Sequence, residues 1–356
     1  MNMIDIQDLK SNISEDDIKN IMDDLDISLI KENTKELIYM TGCHNEDCEL
    51  GSPKLYYYKE SQMFHCYTCD FSGDIIALIE KRWQTINKPF SFMDILNYII
   101  KIVKYKTGEN KREFDSNKFF NRFKTNTIEK KSIEVYDLSV LDNFDVYYPQ
   151  MLLNDYITKE TMNKYRIKYY TPKSQILFPV FNIKGELVGI QARNTNKELI
   201  EKGYKYIPLK TLSTEYNFPT SQYLYGLFHN YKYIQETKEV NVFEAAKSVL
   251  QLDSYVKCNN SVAIFGVNMG RDKLYQLLQL GINKVNICLD KQYKEIGDND
   301  FKKWVNWVKK IYSLFKPYCE VYVVYDKGNL LDFKDSPADK GVDIWSELYY
   351  NRVKLR

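Results

Sequence analysis

The sequence predicts a mixed α/β protein, α+β overall, in which a small cysteine-bearing ribbon precedes a core with a Rossmann-like parallel sheet. One observation is the alternation of strand-length apolar runs with helix-like segments between residues 240 and 290. Buried parallel strands have this near-continuous apolar character, and the resulting order is β-α-β-α-β. The other observation is two closely spaced cysteine pairs between residues 43 and 69, with a hairpin-like segment between them.

Two carboxylates follow the strands of the predicted parallel sheet. Glu244 comes directly after the apolar run 240–243, and Asp290 comes directly after the run 285–289. Reactive groups of parallel sheets lie at the carboxyl ends of the strands. Oxygen ligands without a neighbouring His or Cys favour Mg²⁺ over Zn²⁺. The predicted third strand is 262–265, and the predicted helices are 245–255 and 272–280.

Length and charge limit the classes of protein to consider. The 356 residues suffice for two domains or slightly more. The net charge of +2 indicates no general affinity for nucleic acid, but the charge is segregated. Residues 1–50 carry 4 Lys or Arg and 13 Asp or Glu, whereas residues 159–210 carry 11 and 4. No apolar run approaches the roughly 20 residues of a membrane-spanning helix, and no signal peptide opens the chain. We therefore expect a cytoplasmic protein without a membrane partner, whose seven cysteines are metal ligands or core residues.

Residues 1–40 are predicted to form an acidic helical lead. Ile18, Ile21, Met22 and Leu25 recur at helical spacing, and Ser14 precedes them as an N-cap. The polar face of this helix is either solvated or a partner contact.

The cysteine pairs predict a structural zinc site. Cys43-x4-Cys48 is followed by seventeen residues and then by Cys66-x2-Cys69, and such pairs can place four thiolates around one tetrahedral Zn²⁺. A hairpin is predicted between them, with strands at 54–59 and 63–65. A ribbon this small depends on the metal for its fold. Buried reduced cysteines are the alternative, and His44 or His65 could each replace the adjacent cysteine as a ligand.

A basic, aromatic-rich segment precedes the parallel sheet. Residues 175–182 and 187–193 flank a Lys-Gly-Glu turn and predict a hairpin that ends at Arg193. Lys205, Tyr206 and Lys210 follow in a loop. Charge can hold a phosphate backbone and aromatic rings can stack on bases, so these four residues are candidates for nucleic-acid or nucleotide binding. Single lysines here could also serve solubility alone.

The predicted domains are an acidic helical lead (1–40), a zinc-ribbon domain with following helices (41–103), a charged linker (104–130), a basic subdomain (131–236), a parallel-sheet subdomain (237–340) and a C-terminal helix (341–356).

The parallel-sheet segment resembles the Toprim domain of primases, topoisomerases and some nucleases. That family has a strand ending in Glu before a small residue, as in Glu244-Ala245, and a strand ending in Asp-x-Asp. Here the second motif reads Asp290-Lys291-Gln292, so its second Asp is missing. Asp298 or Asp300 could supply the missing carboxylate only if the loop folds back.

The order of the motifs along the chain resembles bacterial DnaG-type DNA primases, which combine a zinc ribbon with a Toprim core. The ribbon match is Phe64-His65-Cys66-Tyr67-Thr68-Cys69, with Cys48 at the position of the family's His. The core matches are a Phe-Pro strand, a strand ending in Arg193, Lys205-Tyr206 and Leu224-Tyr225-Gly226-Leu227. Lys334-Asp335-x-Pro337-x-Asp339 is the family's Lys-Asp-Pro-Asp motif lengthened by two residues.

The resemblance implies an enzyme that synthesises short primers, expected to be RNA, on a single-stranded DNA template. Glu244, Asp290, Asp335 and Asp339 would be catalytic, with the first three holding Mg²⁺ or Mn²⁺. Nucleoside triphosphates would be substrates, and a replicative helicase could be a partner. About 15 residues follow the last acidic motif, so the family's helicase-binding domain is expected to be absent. A phage, plasmid or mobile-element primase, in a bacterial or phage-infected cell, is the expectation.

Two other classes stay open at this stage. One is a Toprim nuclease or topoisomerase-like enzyme. The other is a non-catalytic single-stranded-DNA-binding adaptor that kept the primase fold, which Gln292 in place of an Asp favours.

Overall fold

The computed structural model describes residues 3–43, 53–104 and 134–356. The chain divides into two compact units, Met1–Phe114 and Asp115–Arg356. In the part of the chain that the structure describes, no helix is both long and apolar enough to cross a membrane. The predicted linker, apart from Lys104, lies outside the described residues.

The first unit begins with two short helices, of which the second is acidic. They are α1 (Ile6–Asn12) and α2 (Glu15–Asp24). Ser14 caps α2 in the predicted way, because its hydroxyl accepts the Asp17 N–H while the Asp17 carboxylate accepts the Ser14 N–H. The apolar face of α2 is buried, so the helical prediction is confirmed for this part of the lead.

The remainder of the predicted helical lead is β-structure instead. Strands β1 (Leu29–Glu32) and β2 (Glu36–Tyr39) form a hairpin, and β2 pairs antiparallel with β3 (Leu55–Tyr58). Leu37 and Tyr39 are buried at alternate positions of β2, as a strand with one face on a core requires. The period of two in this short segment was not recognised in the sequence.

The predicted zinc-ribbon hairpin is present in the same sheet. β3 pairs with β4 (Met63–Cys66), which pairs with β5 (Ser72–Gly73), so the order is β1-β2-β3-β4-β5. Two helices follow, α3 (Ile75–Thr85) and α4 (Phe92–Val103), and Asp74 caps the first of them.

The second unit opens with an antiparallel sheet. Its order is β10-β9-β8-β7-β6, and the central hairpin is the predicted one. The strands are β6 (Lys168–Tyr170), β7 (Gln175–Phe181), β8 (Leu187–Asn194), β9 (Tyr206–Lys210) and β10 (Glu215–Tyr216). Short helices accompany them: α5 (Gln150–Asn154), α6 (Lys159–Lys164) and α7 (Lys197–Glu201).

The predicted parallel sheet forms the other half of this unit. Its order is β12-β11-β13-β14-β15, with the first four strands parallel. The strands are β11 (Glu239–Phe243), β12 (Ser261–Ala263), β13 (Lys284–Cys288), β14 (Glu320–Val323) and β15 (Val353–Lys354). The helices are α8 (Leu227–Thr237), α9 (Ala246–Tyr255), α10 (Arg271–Leu278), α11 (Asn299–Phe315) and α12 (Val342–Tyr350).

Two details of this sheet differ from the predicted elements. β12 ends at Ala263 because the chain turns at Phe265 and Gly266, both of which have positive φ. The predicted C-terminal helix is followed by β15, which pairs antiparallel with the exposed edge of β14. An unpaired sheet edge presents open backbone groups, and β15 covers them.

One hydrophobic core spans both sheets of the second unit. It includes Phe178 and Val180 of β7, Phe243 of β11 and Trp345 of α12. Gly226 allows a close contact within it, because φ is +83° there and a Cβ would lie 2.8 Å from Val249. The Leu-Tyr-Gly-Leu motif therefore forms the tight turn that leads into α8, and its glycine packs against α9.

Candidate metal and nucleic-acid site

Three cysteines of the first unit converge on one point. The ligand atoms of Cys43, Cys66 and Cys69 all lie within 4.8 Å of one another, and the Sγ atoms of Cys43 and Cys69 are 3.6 Å apart. Cys43 and Cys66 are buried, whereas Cys69 is exposed. The cluster is consistent with a zinc site. The fourth predicted ligand, Cys48, lies outside the described residues.

The turn that carries Cys66 and Cys69 supplies backbone hydrogen bonds to the sulfur of Cys66. Burial acts to raise the pKa of Cys66, but hydrogen bonds, chiefly from the backbone N–H groups of Cys69 and Thr68, outweigh burial and lower this pKa. Burial raises the pKa of Cys43 and of Cys69. A Zn²⁺ binds thiolates and releases their protons, and the amide donors around Cys66 favour the thiolate form.

An aromatic face covers one side of the ribbon sheet. The Tyr67 ring, 57% exposed, meets the ring of Tyr56 at 5.0 Å and that of His65 at 4.5 Å, both edge to face. Tyr56 stacks on Tyr58 at 6.3 Å, and the Tyr58 and Tyr67 hydroxyls are hydrogen-bonded at 2.7 Å. These contacts hold four rings together beside the cysteine cluster.

Glu244 and Asp290 lie at the same edge of the parallel sheet. Phe243 and Cys288 are partners in the β11–β13 register, so the residues after them leave the sheet together. The Glu244 carboxylate accepts a hydrogen bond from the Asp290 backbone N–H. Burial raises the pKa of Glu244, against the effect of its hydrogen bonds.

The Asp290 carboxylate lacks the partners that its burial demands. Burial first, then the charges of Glu244 and Asp339, raise its pKa well above the usual range. Its Oδ1 is buried without a hydrogen-bond partner in the structure. A buried carboxylate beside like charges is expensive unless a cation is present, so this atom is suited to bind one.

Gln292 occupies the place of the missing second Asp. Its Nε2 lies 3.3 and 3.4 Å from the two carboxylate oxygens of Glu244. A neutral amide donor therefore faces Glu244. The family's Asp in this place would instead repel the Glu244 carboxylate. Asp298 does not replace it, because its Oδ1 accepts the Phe301 N–H and caps α11, and Asp300 pairs with Lys303.

The two acids of the loop after β14 differ in their surroundings. Asp339 acts electrostatically on Asp290, and its Oδ1 lies 2.6 Å from Nζ of Lys247. Asp335 accepts the Asp332 N–H at 2.9 Å and lies 3.4 Å from Nζ of Lys340, so these contacts are within its own loop. The structure thus places Asp339, and not the predicted metal ligand Asp335, among the charges that act on Asp290.

The basic candidates line the facing wall, with one exception. Arg193 is 8% exposed, and its Nε and Nη1 are buried without a hydrogen-bond partner, with Asp155 Oδ2 at 4.0 Å from Nη1. The Lys205 side chain reaches solvent, yet burial around its ammonium and then Arg193 and Lys247 lower its pKa. The ring of Tyr206 lies 5.8 Å from each of the cationic groups of Arg193 and Lys205.

Lys210 lies apart from this cluster. It is at the far end of β9 from Tyr206, about four residues or 13 Å along the strand. Its Nζ lies 3.8 Å from Glu215 on the neighbouring strand, and both side chains are exposed.

Sequence reasoning missed four residues that shape the site. Lys247 and Asp155 form an ion pair at 3.4 Å, and Lys291 and Asp326 form a buried one at 2.8 Å. Lys291 also donates to Asn329 Oδ1 and to the Leu331 carbonyl. The available signal for Lys247 was its position three residues after Glu244, on the first turn of the helix after the strand.

The loop that carries Asp339 is fixed to the sheet and to α9. Lys291 and the loop exchange two backbone hydrogen bonds, Lys291 N–H to Asp335 O at 2.7 Å and Lys334 N–H to Lys291 O at 2.8 Å. On α9, Ser248 contacts Ser336 at 2.8 Å and Tyr255 donates to the Ala338 carbonyl. These contacts fix the position of the loop, and none of them involves Asp290 Oδ1.

The donor set suits a hard divalent cation. The carboxylates of Glu244 and Asp290 supply oxygen ligands, which Mg²⁺ prefers. Within the described residues, only the cysteine cluster brings three ligand atoms within 4.8 Å of one another. A cation here would thus rest on two carboxylates and on oxygens from substrate or water, as is usual for Mg²⁺.

Solved structures of primases are similar to this chain at low identity. The Aquifex aeolicus primase (zinc-binding and RNA polymerase domains) is 18% identical, with a TM-score of 0.47, over 100% of this chain and 87% of the other. The E. coli primase catalytic core is 16% identical, with a TM-score of 0.45, over 61% and 79%.

The sequence comparison gives a relative over the whole chain. No family model matches. The SPbeta prophage-derived uncharacterized protein YorJ of Bacillus subtilis (strain 168) is 34% identical over 370 residues, which cover 98% of this chain and 96% of the relative. The protein therefore belongs to the family of the SPbeta prophage-derived protein YorJ.

Proposed function

We propose that this protein is a DNA primase, an enzyme that joins nucleoside triphosphates on a single-stranded DNA template by metal-dependent nucleotidyl transfer. One observation carries the proposal: the carboxylate of Asp290, whose Oδ1 is buried and without a hydrogen-bond partner, lies close to Glu244 and within electrostatic reach of Lys205, which Arg193 adjoins. An acidic edge can hold a divalent cation, and a basic wall can hold phosphates. Polymerisation of nucleotides requires both.

In this proposal Glu244 and Asp290 hold Mg²⁺ or Mn²⁺. The metal supplies charge neutralisation at the triphosphate and lowers the pKa of the attacking hydroxyl. We place Asp339 beside these ligands, where it holds the ammonium of Lys247 against the site. Asp335 then has a supporting role, because it closes the loop through Asp332 and Lys340.

Arg193 and Lys205 bind the phosphates of the incoming nucleotide or the template. Arg193 is buried, yet its Nε and Nη1 have no hydrogen-bond partner, so these donors are available to an anion. Tyr206 supports both cations with its ring. Burial, and then repulsion by Arg193 and Lys247, lowers the pKa of Lys205, and a phosphate brought to this wall counteracts that repulsion.

The zinc ribbon contributes template binding. Its exposed rings offer stacking faces, and stacking contributes about 1–3 kcal/mol per base without demanding a particular base. Tyr67 is the most accessible of them. Zn²⁺, held by Cys43, Cys66, Cys69 and Cys48, fixes the turn that carries Tyr67.

The biological setting we propose is replication of a phage or other mobile element in the bacterial cytoplasm. The prophage origin of the relative supports it. The product would be an RNA primer, and a replicative helicase would be the partner that delivers single-stranded template.

A direct assay tests the function. Zinc-loaded protein is mixed with single-stranded templates, labelled ribonucleoside triphosphates and Mg²⁺ or Mn²⁺, and short template-dependent products are resolved on a gel. Glu244→Gln serves as the matched inactive control. Template-independent products, or none with any template and either metal, would contradict the proposal.

The same reaction separates the two remaining classes. A nuclease or topoisomerase-like enzyme would cut or relax DNA under these conditions and leave nucleotides unused. An adaptor would bind single-stranded DNA equally well with and without divalent cation. Gln292 is the feature that favours the adaptor, since it removes one carboxylate from the acidic edge.

A further inference from the structure

We propose that the acidic edge of the parallel sheet holds a single divalent cation, between Glu244 and Asp290, and that the ammonium of Lys247 takes the place of a second one. The inference rests on the proposed function, because it concerns the same site. It specifies how many metal ions the site holds and which residue limits that number.

Lys247 is built into the acidic edge by its position. It lies on the first turn of α9, which follows β11 and Glu244 directly. Its Nζ is 2.6 Å from Asp339 Oδ1 and 3.4 Å from Asp155 Oδ2, and the side chain is 16% exposed. The ammonium thus supplies, between two carboxylates, the positive charge that a metal ion would otherwise supply there.

The two oxygens of Asp339 face a lysine ammonium and a backbone amide. While Oδ1 faces Lys247, Oδ2 accepts the Ser336 backbone N–H at 3.0 Å. Both oxygens are therefore used within the protein. Oδ1 of Asp339 and Oδ1 of Asp290 are both buried without a hydrogen-bond partner, but the Asp339 atom lies 2.6 Å from the Lys247 ammonium. This ammonium is what makes Asp339 the partner of a lysine and leaves Asp290 as the ligand of a cation.

Gln292 removes the other route to a second ion. Two neighbouring metals need carboxylates that bridge or flank them. The Gln292 amide instead directs its Nε2 at both oxygens of Glu244. Gln292 therefore supplies no carboxylate for a second ion, and Glu244 and Asp290 are the pair of carboxylates that one ion can share.

The local charge agrees with one ion. Glu244, Asp290, Asp339 and Asp155 face the cations Lys247, Lys205 and Arg193. Four negative groups against three positive ones give a net charge of −1, which one dication changes to +1 and two would change to +3. A second dication would be repelled by the ion already bound and by the fixed ammonium.

The experiment counts Mn²⁺. Zinc-loaded full-length protein, freed of other divalent ions, is titrated with Mn²⁺ and followed by electron paramagnetic resonance. We expect one Mn²⁺ per chain in the wild type, with the spectrum of an isolated ion. Lys247→Met should admit a second Mn²⁺ at the freed Asp339, with spectral broadening from coupling of the two ions.

Control variants make the result specific. Lys340→Met removes a lysine in the same loop that pairs with Asp332 and Asp335, and it should leave one Mn²⁺ per chain. Asp339→Asn should change the affinity for the single ion little, whereas Asp290→Asn should abolish saturable binding. If Lys247→Met does not fold, as judged by circular dichroism, Lys247→Gln gives the same test, with the same second ion expected.

The outcomes separate this inference from the function it rests on. Two coupled ions in the wild type, or one ion in every folded Lys247 variant, would overturn the inference while leaving a metal-dependent enzyme in place. A second ion in Lys340→Met alone would overturn it also, by assigning the limit to Asp335. A wild type that binds no Mn²⁺ would refute both.

Discussion

Asp290→Asn should raise the stability of the metal-free protein and remove its stabilisation by Mg²⁺. In the wild type Oδ1 of this half-buried residue is buried without a hydrogen-bond partner, and burial, then the charges of Glu244 and Asp339, raise the pKa of the carboxylate. Asparagine keeps the shape and removes the charge. We expect a gain of about 1–3 kcal/mol without divalent ions, the usual penalty of an unsatisfied buried group.

The pH dependence follows from the direction of the pKa shift. A carboxyl whose pKa is raised in the folded state stabilises the protein fully below its unfolded pKa of about 3.9. This contribution is lost as the pH rises through the folded pKa. The metal-free wild type should therefore lose stability with rising pH over this range, more steeply than Asp290→Asn.

Magnesium should reverse the order of the two proteins. An ion at about 100 times its Kd stabilises the folded state by about 2.7 kcal/mol. For a unit the size of Asp115–Arg356 this corresponds to a Tm increase of roughly 5–10 °C. We expect this increase in the wild type and none in Asp290→Asn.

The measurement is a thermal melt of zinc-loaded protein in chelator-free, divalent-depleted buffer, with and without Mg²⁺, at several pH values. Asp298→Asn is the matched control, because Asp298 caps α11 and should not affect the response to Mg²⁺. A wild type that melts at the same temperature with and without saturating Mg²⁺, or an Asp290→Asn variant that still gains, would refute the reasoning.

Further predictions concern the rest of the machinery. Glu244→Gln should lower primer synthesis by about 10²–10³-fold, the scale of losing one electrostatic group, and a gel assay on matched amounts of folded protein checks it. Replacement of both Arg193 and Lys205 by Ala should reduce the slope of log affinity for single-stranded DNA against log salt by about 1.4, measured by fluorescence anisotropy; an unchanged slope would exclude phosphate contacts. Cys66→Ser should lower the zinc content below one ion per chain by metal analysis, whereas Cys258→Ser, at an exposed cysteine outside the cluster, should not.

The strands and their acidic ends could be predicted because their signals are local. The runs 240–243 and 285–289 are apolar except for Asn241 and Asn286, close to the continuous pattern of buried parallel strands. Both lie in the sheet, with Glu244 and Asp290 at the same edge. The ribbon hairpin was predicted for a similar reason, since its cysteines and its turn are close in sequence. Periodicity and spacing report such features directly.

The contacts that complete the site could not be predicted, because they join distant residues. Lys247 meets Asp155 and Asp339, which lie on other elements of the chain. The preference for Asp335 over Asp339 came from motif spacing, whereas their surroundings depend on how Lys291 and α9 hold the loop. Strands β1 and β15 were missed because four- and two-residue strands carry too little pattern to recognise.

The buried ion pair of Lys291 and Asp326 connects the stability of the fold to the geometry of the site. Lys291 directly follows Asp290, and its Nζ is satisfied by Asp326, Asn329 and the Leu331 carbonyl. A buried pair that is hydrogen-bonded so completely is costly to break, by about 3–5 kcal/mol if one partner is removed. The backbone of Asp290 is thereby anchored independently of its own carboxylate. The protein can keep an unsatisfied, ionisable oxygen at the sheet edge because its neighbour in the chain holds the strand end in place.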